Sequence, residues 1–252
     1  MDILNAFTVL INFTLIPALA YGSQLALGAI FVTFIYSVLR FANFATGDMM
    51  SFGTMFAVLW TYYFQTLGIN FGFLPTALLT IPFAIIAMII YMLLIDKFVF
   101  SYYRIKKSPP VQFAMVSVGV MFVTQAIIRI VIGPSDRRFI DGEKFILKAN
   151  EFKEITGLNE GITLKSSQAI TVAVTIIIVS IMFWFLNKTK TGKSMRAYSD
   201  NEDLALLSGI DPKKVVMITW VIAGILATIG GVLYGLDKSY RPFVYFNNML
   251  LK

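Results

Sequence analysis

Long apolar runs alternate with short charged connectors along the chain, and their lengths suit membrane-crossing helices rather than half-buried strands or amphipathic soluble helices. The first run, Ile3 to Leu39, carries no charge for 37 residues. As a helix it extends roughly 55 Å, too long for one upright span and cramped for two plus a turn. Pro17, Gly22 and Gly28 suggest a break, and we take the run as one long or broken crossing that leaves the N-terminus outside. Residues 49–67, 74–95, 112–132, 166–186 and 215–236 follow as further candidates, each near the ~20 residues a span requires. Only the 112–132 run contains a charge, Arg129, near its outer end and one turn after Gln125, where it can snorkel to the headgroups. A buried Arg129 gripping an anionic substrate is the rival reading. The pattern predicts an all-α fold, a polytopic transmembrane helical bundle of about six spans. It forms one integral membrane unit, residues 1–252.

The connectors set the orientation. Residues 96–111 hold Lys97, Arg104, Lys106 and Lys107 against one acid, and residues 188–214 hold six basic and four acidic residues, so both are predicted to be cytoplasmic. Residues 134–165 balance six basic with six acidic residues and by parity form an outer loop. The same alternation puts residues 40–48 near the cytoplasmic end of their spans and the 68–72 turn outside.

Composition narrows the class. With 58% hydrophobic residues, 14% charged and a mean hydropathy of +0.77, no soluble domain fits. The net charge of +7 resides in connectors beside apolar spans, a topology signal, so the partner is the lipid membrane and no nucleic acid. The absence of Cys and His removes disulfides, thiolate and imidazole metal sites, and nucleophiles paired with His. No cofactor or metal is expected, and most enzyme templates fail. Neither a basic n-region nor a small-residue cleavage site follows Met1, so the first run is expected to stay in the mature chain.

Three segments stand out. Asn43, Phe44, Ala45, Thr46, Gly47 and Asp48 interrupt apolar sequence with an amide, a hydroxyl, a flexible glycine and an acid just after Arg40. Polar groups at membrane depth are costly unless they line a cavity. One reading is a kinked segment that lines a permeation path or holds spans in register; the other is an interfacial turn with Asp48 capping a helix from Met49. The connector from Lys188 to Val216 is the second segment. Ser199 or Asp200 can cap a helix there, Glu202 and Asp203 suit its first turn, and Gly209 followed by Pro212 stops it, leaving about two turns over 201–208. Leu204 and Leu207 share a face at i, i+3, with Ala205 and Leu206 beside them. That face calls for a cover, either the ends of the chain's own spans or a groove on a separate cytosolic subunit, and the residues hold both readings equally. On the last run Ala223, Ala227, Gly231 and Gly235 recur every four residues, with Gly224 and Gly230 nearby. Such a stripe lets another span approach closely.

Taken in order, these pieces resemble the permease subunits of ABC importers for branched-chain amino acids, a family that also serves related amides and urea. Gly22 through Asp48 is similar to the family's early segment, which ends in Asn-Phe-Ala-His-Gly-Asp. Thr191, Gly192, Lys193, Ser194, Met195, Arg196 and Ala197, followed by Glu202, Ala205, Leu207, Gly209, Ile210 and Val215, resemble its cytoplasmic coupling loop. Gly230, Gly231, Val232, Leu233, Tyr234 and Gly235 resemble the helix that follows. The resemblance implies that Gly192, Arg196, Glu202, Ala205, Leu207 and Gly209 belong to an ATPase-coupling loop. Its helix docks on separately encoded ATP-binding subunits, and the permease itself hydrolyses nothing. It further implies a second permease subunit, which suits the small-residue stripe, and a periplasmic substrate-binding protein, all at a bacterial inner membrane. Thr46 replaces the family's His, which puts any imidazole role at that position in doubt. Family members continue past the Gly-rich helix with further spans, whereas this sequence ends in residues 241–252, so the resemblance implies a missing C-terminal part.

Two other classes are open. An ion-coupled secondary transporter with Asp48 as its coupling carboxylate fits a broken polar segment beside spans. A membrane-embedded enzyme rests only on the polar outer loop and has no acid, base and nucleophile constellation behind it. Urea or short amides are the alternative substrates.

Overall fold

In a bilayer the backbone must satisfy its own hydrogen bonds, and the apolar runs do so as helices. The computed structural model describes residues 2–69, 72, 74–139 and 144–242. Expectations that touch residues 70 and 71 of the outer turn, and the tail 243–252, lie outside the described residues. The helices are α1 (Asp2–Leu10), α2 (Ile16–Leu39), α3 (Thr46–Thr66), α4 (Ala77–Ile95), α5 (Ser101–Ile105) and α6 (Pro110–Val131). After the outer loop come α8 (Ser166–Lys188), α9 (Lys190–Asp200), α10 (Glu202–Leu207) and α11 (Pro212–Lys238).

The first run is one continuous helical rod. The break expected at Pro17, Gly22 and Gly28 is replaced by a π-helical turn, Ile11–Leu15, directly before Pro17. Proline offers no N–H to the carbonyl four residues back, and one widened turn absorbs the mismatch without ending the helix. A second π turn, Asp96–Phe100, joins α4 to α5.

Among the described residues, 5 helical stretches are long and apolar enough to cross a membrane: Ile3–Leu39, Ala77–Ile105, Pro110–Val131, Ser166–Lys188 and Pro212–Lys238. The sixth expected span corresponds to α3, which is 21 residues long but less apolar. Every one of its residues from Thr46 to Met55 is buried, so its first half is walled by protein and needs no lipid-compatible surface. The centre of the bundle is α11, whose apolar window is 67% buried against at most 22% for the other spans. It packs on α2, α3 and α4.

The outer loop is folded. β1 (Phe145–Leu147) pairs antiparallel with β2 (Leu164–Lys165), and α7 (Ala149–Thr156) fills the interval. Thr163 donates its N–H to Asn12 Oδ1 at 2.9 Å, tying the loop to the first helix. Arg137 and Tyr240 exchange backbone hydrogen bonds of 2.9 and 2.7 Å, closing the loop's start against the end of α11.

Candidate functional site

The polar segment does not sit at the interface. Phe41 stacks on Phe113 with ring centroids 5.1 Å apart, the Phe44 N–H donates to Ser117 Oγ at 3.0 Å, and Asp48 accepts from Gln125 Nε2 at 3.2 Å through both oxygens. Those partners advance steadily along α6, and the step from Phe113 to Gln125 is about 18 Å of helical rise. Residues 41–48 therefore run alongside α6 into the bundle, with a turn at Phe44 and Ala45, and α3 starts buried between helices. The turn is locked by its own side chains. Asn43 Oδ1 accepts the Ala45 N–H at 3.0 Å and Thr46 Oγ1 donates to the Asn43 carbonyl at 3.1 Å.

Asp48 is not the cap of a helix from Met49. The helix begins at Thr46, its N-cap Ala45 has no side-chain acceptor, and Asp48 is its third residue. The carboxylate is 3% exposed and turns across to α6, while the backbone N–H groups of Thr46, Gly47 and Asp48 have no partner among the described residues. The phenols of Tyr91 and Tyr240 lie in its neighbourhood. Ser51, one turn on, lies 3.3 Å from the Tyr240 hydroxyl, and Tyr91 shares a 2.6 Å hydrogen bond with Thr124, the neighbour of Gln125.

The connector packs where the segment begins, at Arg40. Gly192 lets α9 fold back on α8, because a side chain there would collide with the Phe185 carbonyl and Leu186. Arg196 reaches Asn187 Oδ1 at 3.3 Å. The cap of α10 is neither Ser199 nor Asp200 but Asn201, whose Oδ1 accepts the Leu204 N–H at 3.0 Å. Ser199 is occupied elsewhere, with its hydroxyl donating to the Ser37 carbonyl and its own carbonyl accepting from Arg40 Nε at 2.8 Å. Tyr198 donates to Glu202 at 3.2 Å; burial first, and Glu202 second, push its phenol up to about 12. At the far end Gly209 turns with φ +80° and the Ile210 N–H closes on the Ala205 carbonyl at 3.0 Å.

The six residues that the resemblance assigns to a coupling loop thus divide. Gly192 and Ala205 are buried against the chain itself, Gly209 shapes the turn, Arg196 and Glu202 brace the corner, and Leu207 projects at 85% exposure with Leu204 at 60%. The chain's own spans do not cover that face. Beside it, a cavity of about 440 Å³ is lined by Arg40, Arg104, Lys107, Tyr198, Glu202 and Asp203 among others.

The small-residue stripe is spent within the chain. Ala223, Ala227, Gly231 and Gly235 are all buried, and a side chain at Gly231 would collide with Thr54 and the Met50 carbonyl of α3. At Gly231 it admits α3, and at nearby Gly224 it meets Ile89 of α4. Arg129 is exposed in the last turn of α6. Three links escaped the sequence: Gln125 on Asp48, Arg40 on Ser199, and Asp96, which accepts from Trp220 Nε1 at 2.7 Å and from Arg104 at 2.6 Å. Except for the Asp96–Arg104 contact, these join residues far apart in the chain, and only a solitary polar residue in an apolar run hinted at the first.

The sequence profile of the family described as "Branched-chain amino acid transport system / permease component" matches residues 14–251. A probable branched-chain amino acid transport permease protein LivH of Methanocaldococcus jannaschii is 27% identical over 236 residues, covering 89% of this chain and 66% of its own length. The high-affinity branched-chain amino acid transport system permease protein LivH of Escherichia coli K12 is 24% identical over 230 residues, 88% of this chain and 71% of its own. A nucleoside ABC transporter permease protein, NupB of Lactococcus lactis, is 34% identical over 80 residues, 32% of this chain and 22% of its own. No solved structure matches. The chain spans about two thirds of the length of the first of these relatives.

Proposed function

The chain belongs to the permease-component family of branched-chain amino acid transport systems, and on that premise we propose that it is the translocating membrane subunit of an ATP-driven importer for branched-chain or related amino acids. Hydrolysis is assigned to separate ATP-binding subunits, delivery to a periplasmic binding protein, and closure of the pathway to a second permease at the cytoplasmic membrane.

One observation supports the coupling role above the others: α10 holds Leu204 and Leu207 away from the bundle on a rigid base. Burying a leucine side chain stabilises an interface by about 1.5–3 kcal/mol, so two leucines projecting from a cytosolic connector suit a groove on a partner. The base transmits motion because Arg40 fastens α9 to the end of α2, and residues 41–48 run from there to the buried start of α3. The mixed-charge cavity beside α10 gives the partner polar contacts at the rim.

The test is the pair Leu204→Glu and Leu207→Glu in the assembled importer. The expected result is a membrane-inserted permease that no longer co-purifies with its ATPase and no longer supports ATP-driven uptake. Retained co-purification with normal uptake would sink the docking role.

A further inference from the structure

Asp48 is a carboxylate buried at membrane depth with a neutral amide as its contact. It is 3% exposed, Gln125 donates to it, and among the described residues no Lys or Arg forms an ion pair with it. An unpaired charge in such a place is costly and marks a site that a cation visits. The donor set limits which cation. Calcium takes 6–8 oxygen ligands and magnesium an ordered octahedron, whereas here one carboxylate has the Gln125 amide on it, the free backbone N–H groups of Thr46 and Gly47 just before it and the Tyr91 and Tyr240 phenols in its neighbourhood. That suits a single positive charge carried by a group that also brings an acceptor.

We propose that Asp48 receives the α-ammonium of a zwitterionic amino acid inside the permease, while the substrate's carboxylate meets neutral donors nearby, the uncapped N–H groups of Thr46 and Gly47 and the hydroxyls. This deepens the importer reading and rests on it. Asn43 and Thr46 then act as positioning residues that hold the start of α3 open, since their own polar atoms are used within the turn. Gln125 orients the carboxylate from α6.

The test uses the full complex of permease, ATPase and binding protein in proteoliposomes, with Asp48→Asn and Asp48→Glu. Asp48→Asn keeps the shape and the amide contact but removes the charge. The expected result is a loss of roughly tenfold or more in ATP-driven uptake of the amino acid, with membrane insertion and co-purification of the ATP-binding subunits retained, and partial recovery in Asp48→Glu. A second readout uses the absence of cysteine from the chain. A single Thr46→Cys is labelled with a small thiol reagent. The amino acid slows labelling, the matching 2-hydroxy acid without an ammonium does not, and Asp48→Asn abolishes the protection. Uptake by Asp48→Asn at the unmodified rate, or equal protection by the hydroxy acid, overturns the proposal. Uptake that follows an imposed sodium or proton gradient, with that dependence lost in Asp48→Asn, overturns it in favour of an inorganic cation. If the unmodified complex shows no ATP-driven uptake, the importer reading fails on its own, and the labelling experiment still decides the role of Asp48.

Discussion

At the scale of single residues, glycines in similar sequence settings have opposite roles. Gly231 faces α3 so closely that a Cβ would strike Thr54 and the Met50 carbonyl, whereas a Cβ at Gly22 would meet nothing within 4 Å. Gly231→Ala is therefore expected to destabilise the bundle by about 1–3 kcal/mol through overpacking, and Gly22→Ala to leave it unchanged or slightly firmer. Thermal unfolding of the purified permease in detergent separates the two. A drop for both would mean that the α3–α11 contact is not the cause. Tyr198 gives a pH signature in the connector. Its phenol is raised from 10.0 to about 12 in the folded connector, so the neutral form is favoured there. The stabilisation is fully present below pH 10 and is lost as pH rises from 10 toward 12. Phenolate absorbance compared between the native chain and Tyr198→Phe should show one late-titrating group missing from the variant.

Among the elements, α10 shows how far local signals reach. The sequence placed a two-turn helix between Asn201 and Ser208 with a glycine stop, and the helix is there. Its cap was misplaced because Ser199, Asp200 and Asn201 are all competent cap residues, and the choice depends on which one has extended backbone. Asn201 does, with φ −155° and ψ 111°, while Ser199 is drawn into contact with α2. Asn201→Ala is expected to cost about 1 kcal/mol of local stability and to fray α10, read as faster amide exchange at Leu204 and Ala205. The same substitution at Asp200 should leave those amides unchanged. The third helix makes the complementary point. Its boundaries were nearly legible, but its low hydropathy reads as a weaker span until the surrounding helices are seen to cover its first half.

Across the whole molecule, Arg40 joins the connector to the polar segment at residues 43–48. It ends α2 with φ 58°, bonds the Ser199 carbonyl on α9, and opens the segment that climbs to Asp48. Arg40→Ala is expected to leave insertion and ATPase binding intact but to lower uptake several-fold more than ATPase activity, measured side by side in the same vesicles. An equal fall in both would show that Arg40 matters only for folding. The sequence by itself determined the helical class, the positions of the long apolar stretches, the short helix in the 188–214 connector and the polar interruption at residues 43–48. Hydrophobic length, charge asymmetry and capping chemistry are properties of short stretches, and a chain in lipid has few alternatives to the helix. Tertiary structure alone decided that the interruption re-enters the bundle, that Asp48 meets Gln125 instead of capping a helix, that Gly231 of the small-residue stripe meets α3, and that Leu204 and Leu207 stay uncovered. Each of these depends on which faces of distant helices meet, and a pairing between residues separated by tens of positions leaves no period or spacing along the chain from which to read it.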